Sequence, residues 1–381
     1  MKNPYLTDPD YEDFRTKTIN FIEKEMTPFA LEWENNKIFP KHLLKSFVDQ
    51  GLVGLSLPRE KGGHGKSFWY EVIFTESLAK SHTFGYSAVI AVHTNMTMPL
   101  LADLATQDQE ERFLKPALRG EGLLAFAVTE EGAGSDIAAT ATTAVLQGSH
   151  YVINGHKKYI GFGSQASNLM VICKTKNSSD ILSLSFIMVP AGLPGVTQKR
   201  LDTVGLNAGD LGEIIFDNVR VPQENLLGRR GLGYKYCVKA VQRERLVASA
   251  GIIALGFEVL DKTINFLANR YRFGEPLTKK QTIRHRLARH RARLESLQQF
   301  SYNVCHLYSQ GQNVDSEIMM LKFTAASDVQ NIIKDCIQLH GAQSLLASDW
   351  LSHIYRDSQT FGFFGGSSEI LQDLLAINMK L

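Results

Sequence analysis

The first third of the chain has apolar residues at the three-to-four-residue spacing of amphipathic helices. Between residues 11 and 118 this spacing is clearest in two groups, which are Phe14, Ile19, Phe21 and Ile22, and Leu43, Leu44, Phe47 and Val48. Three glycines, Gly62, Gly63 and Gly65, interrupt the pattern between helices. The pattern predicts an all-α N-terminal domain over residues 1–119.

From residue 120 to residue 229 the pattern changes to short runs of β-forming residues. The predicted strands cover residues 123–128, 151–153, 169–173, 185–189 and 213–216. Turn-forming residues separate the runs, at Gly148, Asn154-Gly155, Asn177-Ser178-Ser179 and Pro194-Gly195. Short strands with turns between them predict a small antiparallel, β-barrel-like middle domain.

Long helical patterns return after residue 230. They cover residues 238–270, 280–309, 315–340 and 369–378. Helices followed by strands and then by helices indicate a helical protein with a β domain in its middle. We therefore expect a C-terminal four-helix bundle over residues 230–381.

Composition adds mainly exclusions. The 381 residues are 44% hydrophobic and 21% charged, as in ordinary globular proteins, and the net charge of +2 gives no reason to expect a nucleic-acid partner. No apolar run approaches the roughly 20 residues that span a membrane, and the acidic N-terminus has no features of a targeting signal. The four cysteines lack metal-ligand spacing, so we expect no metal site and a cytoplasmic location.

Five segments stand out, of which the third is expected to connect a strand to a helix and is assigned no chemistry, whereas the other four carry candidate chemistry. They are AVTEEGAGSD (127–136), NGHKKYIG (154–161), DNVRVPQENLLG (217–228), RYRFGEPL (270–277) and FFGGSSEI (363–370). The glycine-rich turn of the first exposes backbone N–H groups to a phosphate or flavin, although such a turn alone is also typical of a plain loop. Together and in this order, the segments resemble the signatures of the acyl-CoA dehydrogenases. The resemblance implies an acyl-CoA dehydrogenase-like fold with FAD as cofactor; the N-terminal third matches only in its helical pattern.

The resemblance also implies which residues of the middle domain contact FAD. Phe126, Val128 and Thr129 would line the flavin ring, and Gly134 and Ser135 would lie near the cofactor phosphates or the thioester arm. Tyr159 would pack on the flavin, or else fill the core of the β domain as aromatic residues often do. Gly161 stands where the family usually has a Ser or Thr that bonds the flavin near N5, so a backbone group or Ser164 would have to substitute.

In the C-terminal domain the resemblance implies contacts to the rest of the cofactor. Arg270 would grip the pyrophosphate, for which its planar guanidinium is suited, although a cation at a helix C-terminus also interacts with the helix dipole. The other implied contacts are Phe273 near the adenine, Gln281, Gln338, Gly341, Ser367 and Glu369. Because the Arg270 turn reaches across a subunit interface in the family, a homotetramer is implied.

The general base is not where most of the family has it. Its usual Glu is replaced by Gly365. A minority of the family, including isovaleryl- and long-chain-type dehydrogenases, has a small residue there and a Glu in a Glu-Arg-Leu string, which here is Glu244-Arg245-Leu246. A Glu between Arg243 and Arg245 would otherwise be typical of a solvated ion-pair face. The paired exchange predicts that Glu244 removes the α proton of a thioester while flavin N5 accepts a hydride, with Arg245 and Gly365 beside the substrate.

The substrate is indicated less directly. Residues 284–293 contain five Arg and two His, which favours an acidic partner such as an acyl or peptidyl carrier protein bearing a phosphopantetheine thioester. Inter-subunit pairing, or contacts to FAD and CoA phosphates, explains the same residues equally well. The chain as a whole is most similar to the prolyl-carrier-protein dehydrogenases and oxidases of secondary metabolism, those of anatoxin-type biosynthesis included. This implies oxidation of a carrier-bound L-prolyl thioester to a pyrroline-carboxyl thioester.

Two other hypotheses remain open from the sequence. One is an acyl-CoA dehydrogenase for a branched or a short- or medium-chain acyl-CoA, and the other is a non-catalytic FAD-binding relative. Four aromatic residues, Phe84, Tyr86, Phe361 and Phe363, either narrow the substrate pocket around a small ring or pack in the core.

Overall fold

A computed structural model of the protein describes residues 3–176 and 181–381, so the turn predicted at Asn177-Ser178-Ser179 lies outside the described residues. The chain folds into two compact units. The first unit comprises Met1–Asn36, Ser67–Ser87 and Arg245–Leu381, and the second comprises Lys37–Lys66 and Ala88–Glu244. The three domain boundaries drawn from the sequence remain a prediction.

Helices make up most of the chain outside the middle region. They are α1 (Asp10–Glu25), α2 (Ala30–Asn36), α3 (His42–Asp49), α4 (Phe68–Ser77), α5 (Phe84–Val92), α6 (Met98–Leu104), α7 (Gln107–Gln109), α8 (Lys115–Leu118), α9 (Gly233–Ala268), α10 (Gln281–Ser309), α11 (Asp315–His340), α12 (Trp350–Ser358) and α13 (Ser368–Asn378). Two π-helical segments, His93–Thr97 and Glu110–Leu114, continue α5 and α7. The four long C-terminal helices lie where the pattern predicted them, whereas the nine-residue α12 was missed.

The strands of the second unit form one eight-stranded sheet. They are β1 (Leu124–Ala127), β2 (Thr143–Gln147), β3 (His150–Gly161), β4 (Asn168–Lys174), β5 (Leu184–Pro190), β6 (Val196–Arg200), β7 (Leu211–Pro222) and β8 (Leu226–Leu227). The order is β6-β7-β3-β2-β4-β5-β8, with β1 paired to β4. A short antiparallel pair, β9 (Tyr271–Arg272) and β10 (Glu275–Pro276), lies in the first unit. The predicted β domain is confirmed, but its sheet is mixed, because β1 runs parallel to β4.

The turn predicted at Asn154-Gly155 is wrong. These residues lie inside β3, which continues through them to Gly161 with a shift of register against β7. Glycine is needed there for another reason. A Cβ on Gly155 would lie 2.3 Å from the hydroxyl oxygen of Thr142, so the missing side chain allows Thr142 to approach the strand.

Each unit has its own apolar interior. In the second unit, five consecutive residues of β4, from Leu169 to Cys173, are fully buried, as expected for a strand covered on both faces. In the first unit, α10 buries a stripe of residues at helical spacing, including Leu287, Leu294 and Leu297. All four cysteines are free and buried. Within the described residues, no helix has the length and apolar character to cross a bilayer.

Candidate active site

In the second unit, the end of β1 lies beside the second half of β3. The carbonyl oxygen of Val128 accepts a hydrogen bond from the Lys157 ammonium at 2.8 Å, and the carbonyl of Thr129 accepts one from the Lys158 N–H at 2.9 Å. The half-buried ring of Phe126 packs 5.3 Å from that of Phe186. The structure therefore brings the three predicted flavin-ring residues next to the segment that carries Tyr159.

The side chain of Tyr159 is exposed to solvent rather than packed in the core. Its side chain is 52% exposed, and its φ of +61° lies in the left-handed region, which is a rare and strained conformation for an aromatic residue. The strain occurs at a shift of register between Lys157 and Ile160, where a bulge redirects the strand. The alternative that Tyr159 fills the β-domain core is wrong, and the exposed ring can pack on a ligand.

A side chain at position 161 would crowd Val89. A Cβ there would lie 3.0 Å from Cγ1 of Val89, so this valine would have to shift by a few tenths of an ångström. Ser164, considered as a substitute, donates its hydroxyl hydrogen to the fully buried Asp210 carboxylate. The Ser164 hydroxyl hydrogen is thus engaged within the chain, and the substitution by Ser164 or by a backbone group near flavin N5 stays a prediction.

The glycine-rich segment forms an open loop. Gly134 and Ser135 are exposed, and a Cβ on Gly134 would meet nothing within 4 Å, so the loop backbone is accessible to a ligand. At the base of the loop lies an ion pair that sequence reasoning missed, between Glu130 and Lys157 at 2.7 Å. Both side chains are buried. Charged residues usually lie on the surface, and only knowledge that these two, 27 positions apart, pair with each other could have indicated their burial.

In the first unit, Arg270 meets the loop that follows α11. One guanidinium nitrogen donates to the carbonyl of His340 at 2.6 Å, and a Cβ on Gly341 would lie 3.8 Å from another. The nearby Phe273 is 95% exposed with a φ of +54°, and Gln281 and Gln338 are exposed. The predicted pyrophosphate contact and its partner loop are therefore assembled, with an exposed ring and two amides in the same unit.

The segment that would carry the usual base forms a turn held by Arg245. Gly365 has a φ of +69°, and its carbonyl accepts a hydrogen bond from Nε of Arg245 at 2.6 Å. Ser367 caps α13 by accepting the N–H of Ile370 at 3.3 Å, and Glu369 lies exposed in the first turn, where a carboxylate suits the helix dipole. Ser367 thus caps the helix and Glu369 complements its dipole, besides the cofactor contact predicted for each.

Glu244 is a buried carboxylate on α9, with only 6% of its surface exposed. The alternative of a solvated ion-pair face is wrong, because such a residue would be open to water. Its neighbour Arg243 donates a hydrogen bond to the hydroxyl of Ser56 at 2.7 Å. Carboxylates are rarely buried without a specific purpose, so the position is consistent with a reactive group.

Comparison with known proteins identifies the family. Models of the acyl-CoA dehydrogenase N-terminal, middle and C-terminal domains match residues 8–121, 125–219 and 231–380. The chain is 30% identical to the 3-(aryl)acrylate reductase of Clostridium sporogenes over 97% of its own length and 98% of that protein. The chain belongs to the acyl-CoA dehydrogenase family. The predicted fold class, the FAD cofactor and the activity of an FAD-dependent acyl-thioester dehydrogenase are thereby confirmed.

Solved structures of the acyl-CoA dehydrogenase family have the same fold. An acyl-CoA dehydrogenase from Geobacillus kaustophilus superposes with a TM-score of 0.95 at 28% identity, with both chains fully covered. The prolyl acyl carrier protein oxidase AnaB superposes with a TM-score of 0.93 at 23% identity, covering 98% of this chain and all of that one. At that identity the second likeness concerns the fold alone.

The residues present fit FAD. Phosphate recognition needs a cation and backbone N–H groups, and the chain offers the guanidinium of Arg270 and the open loop at Gly134. A planar ring system needs apolar surfaces, and Tyr159 and Phe273 each expose a ring from a strained backbone. Within the first unit, Arg270 and Gln338 would contact an FAD pyrophosphate. Within the second unit, Tyr159 and Thr129 would contact a flavin ring.

The basic helix α10 uses much of its charge within the first unit. Arg286 and His290 pair with Asp335 of α11, Arg293 pairs with Asp328 of the same helix, and Arg291 pairs with Asp261 of α9. None of the explanations drawn from the sequence included pairing within the chain. Arg284, His285 and Arg289 are exposed to solvent. The surface on offer to an acidic partner is therefore smaller than the composition suggested.

Three of the four aromatic residues considered for the substrate pocket pack in the interior of the first unit. Phe361 and Tyr86 are 1% and 0% exposed, and the ring of Phe84 packs edge-on to Phe361 at 4.8 Å. Phe363 differs, because it is 60% exposed. Core packing thus explains all of them except Phe363.

Proposed function

We propose that Glu244 is the general base of this acyl-thioester dehydrogenase. The observation that carries the proposal is the burial of its carboxylate on α9 together with the absence of a side chain at Gly365. Proton abstraction α to a thioester requires a carboxylate held close to the carbon and shielded from water. The burial of Glu244 meets the second of these needs, which an exposed residue of an ion-pair face would not.

The neighbouring residues have distinct parts in this mechanism. Glu244 takes the α proton onto a carboxylate oxygen and releases it after the product leaves. Bound FAD supplies the oxidising chemistry by accepting the hydride. Arg245 holds the turn at Gly365 through its 2.6 Å hydrogen bond. Because glycine has no side chain, position 365 itself adds no bulk that would exclude a large acyl group. The donors that polarise the thioester carbonyl would be backbone or cofactor groups.

Replacement of the carboxylate by its amide tests the base. Glu244→Gln is expected to slow flavin reduction by the thioester by about 10²–10⁴-fold, because Gln cannot accept the proton. A matched control is Glu258→Gln, which changes another buried carboxylate of α9 that bonds His82 and Lys80. The control should retain activity. Equal bleaching of the flavin absorbance by the wild type and by Glu244→Gln would remove Glu244 from the mechanism.

For the substrate we propose an L-prolyl thioester on an acyl or peptidyl carrier protein, oxidised to a pyrroline-carboxyl thioester. The proposal is supported by the sequence resemblance to prolyl-carrier-protein dehydrogenases, by the exposed cations Arg284 and Arg289, and by the small residue at position 365. Loss of the α proton to Glu244 and of a hydride from the adjacent atom removes two hydrogen atoms. The product is therefore a ring with one new double bond, still attached to the carrier.

The substrate is tested by offering prolyl-loaded carrier protein and isovaleryl-CoA to the oxidised holoenzyme. Bleaching by the carrier thioester, with loss of two hydrogen atoms in the mass of the bound product, is the expected result. Bleaching by the CoA ester alone would overturn the carrier proposal and leave the choice of Glu244 untouched. Failure of every thioester to reduce the flavin would instead indicate a non-catalytic relative.

An acyl-CoA substrate is the second candidate, and the internal ion pairs of α10 favour it. Because Arg286, Arg291 and Arg293 have acidic partners within the chain, most of the positive charge that suggested a carrier protein has a structural explanation.

A homotetramer is the assembly expected for either substrate, and light scattering on the purified holoenzyme measures it.

A further inference from the structure

We propose that the buried pair Glu130 and Lys157 positions the whole FAD-binding face of the second unit. The two residues are not assigned a contact with the cofactor. They act through the segments that they join, and for that reason we describe them as positioning residues. The proposal depends on the FAD site but not on the identity of the thioester.

The carboxylate of Glu130 closes the base of the glycine-rich loop. One oxygen accepts the N–H of Ala141 at 2.6 Å, and the other accepts the N–H and the hydroxyl of Thr142 at 3.1 and 2.6 Å. Residues 131–140 therefore form a loop whose two ends are tied by one side chain, as in compact surface loops that serve function. Gly134 and Ser135, the predicted phosphate contacts, lie in this loop.

Lys157 joins the same carboxylate to the flavin-ring segment. Its ammonium donates to Glu130 at 2.7 Å and to the carbonyl of Val128 at 2.8 Å. Lys157 lies on β3 two residues before Tyr159, at the start of the bulge that displays this ring. One ion pair thus links the loop, the end of β1 and the strained strand, and these three segments hold every FAD contact predicted in this unit.

The pair is buried, so it is costly to disturb. Lys157 is fully buried and Glu130 is 6% exposed. Burial lowers the pKa of Lys157 while the charge of Glu130 opposes that effect; burial raises the pKa of Glu130, but Lys157, Thr142 and Ala141 hold it below its ordinary value. Cys173, the nearby thiol, has a pKa raised to about 12 by burial and stays neutral. An unpartnered charge left in this place would open the segment to water.

The test compares two unequal disruptions with one matched control. Lys157→Met removes the cation, and Thr142→Val removes one hydrogen bond to Glu130 at nearly constant volume. The control is Arg15→Met in the first unit, which removes the cation from another ion pair whose carboxylate, Glu76, is buried. Holoenzyme is diluted and FAD release is followed by the rise of flavin fluorescence. Loop opening is followed separately by a Glu-specific protease that cuts after the exposed Glu131.

Lys157→Met is expected to raise the FAD dissociation constant about tenfold or more and to make Glu131 cleavable, with Thr142→Val changing both in the same direction by less. Arg15→Met should lower thermal stability without either effect. FAD affinity within about twofold of wild type in Lys157→Met, or an equal loss in Arg15→Met, would overturn the proposal. If Lys157→Met does not fold, Thr142→Val decides. A wild-type protein that does not bind FAD would refute the cofactor site itself, which is a different outcome.

Discussion

Gly365 not only replaces the usual catalytic Glu but also has a backbone conformation that is unfavourable for most other residues. Its φ of +69° costs a residue with a Cβ about 1–2 kcal/mol. The backbone cannot rotate away freely, since the Gly365 carbonyl accepts a charge-assisted hydrogen bond from Arg245 worth about 1.5–3 kcal/mol. Replacing glycine also restricts the unfolded chain, which offsets about 0.4–1 kcal/mol. Gly365→Ala should therefore destabilise the protein by about 1 kcal/mol.

The assay is urea unfolding of the holoenzyme, with Gly362→Ala as the matched control. Gly362 lies three residues earlier, outside the left-handed region, and a Cβ there would make an ordinary contact of 3.9 Å with the Ser368 hydroxyl. Asn tolerates the left-handed region, so Gly365→Asn should destabilise less than Gly365→Ala. Equal urea midpoints for the two alanine variants, or a lower midpoint for Gly365→Asn than for Gly365→Ala, would show that left-handed strain at Gly365 does not limit stability.

The same strain predicts that a base cannot simply be moved back. Gly365→Glu placed in the Glu244→Gln variant should restore little thioester oxidation. The strain of about 1–2 kcal/mol lowers the population of any correctly placed carboxylate by about 5–30-fold. Recovery of the wild-type rate of flavin bleaching would show that the turn adapts readily and that this account of Gly365 is incorrect.

Three further predictions concern other parts of the molecule. Tyr159→Gly should raise the thermal midpoint of the FAD-free protein by relieving the left-handed strain, yet weaken FAD binding, and calorimetry with a fluorescence titration measures both. Burial lowers the pKa of His93 to about 4, and the neutral ring accepts a hydrogen bond from the Leu124 N–H. The stability due to the neutral ring is therefore complete above about pH 6.5 and is lost as the pH falls from there toward 4. In urea unfolding, His93→Gln should reduce this loss of stability. Arg284→Glu with Arg289→Glu should raise KM for a carrier-bound thioester severalfold and leave kcat unchanged, whereas an equal change for a CoA thioester would count against carrier recognition.

Long periodic patterns were enough to predict the helices, and short local ones were less reliable. The extents of α10 and α11 follow from their patterns within one residue, because each buries a continuous apolar stripe. Asn154-Gly155 has the composition of a hairpin turn, yet β3 runs through it, because the approach of Thr142 rather than a turn determines the need for glycine. Local sequence cannot distinguish these two reasons for a glycine.

The candidate site was also predicted only in part. The residues expected to contact a cofactor were predicted from motifs, and the structure places two of them, Val128 and Thr129, beside the Tyr159 segment. The support for those groups was not predictable, because Glu130 and Lys157 become a pair only through the pairing of distant segments. The basic composition of α10 led us to overestimate its exposed positive charge for a related reason. Counting the arginines of α10 ignores the aspartates that the fold brings opposite them.

Two of the exposed aromatic residues, Tyr159 and Phe273, also have a strained backbone. Tyr159 and Phe273 lie in different units, and both combine a left-handed backbone with a ring open to solvent. Each conformation costs about 1–2 kcal/mol, and about half of the Tyr159 side chain and nearly all of Phe273 remain exposed to water. Burial of an aromatic ring against a ligand contributes about 25 cal/mol for each Å² of apolar surface removed from water, which is enough to offset the strain. We infer that a ligand ring covering Tyr159 or Phe273 would stabilise the backbone at that position within its own unit, because binding to the folded state alone raises its stability.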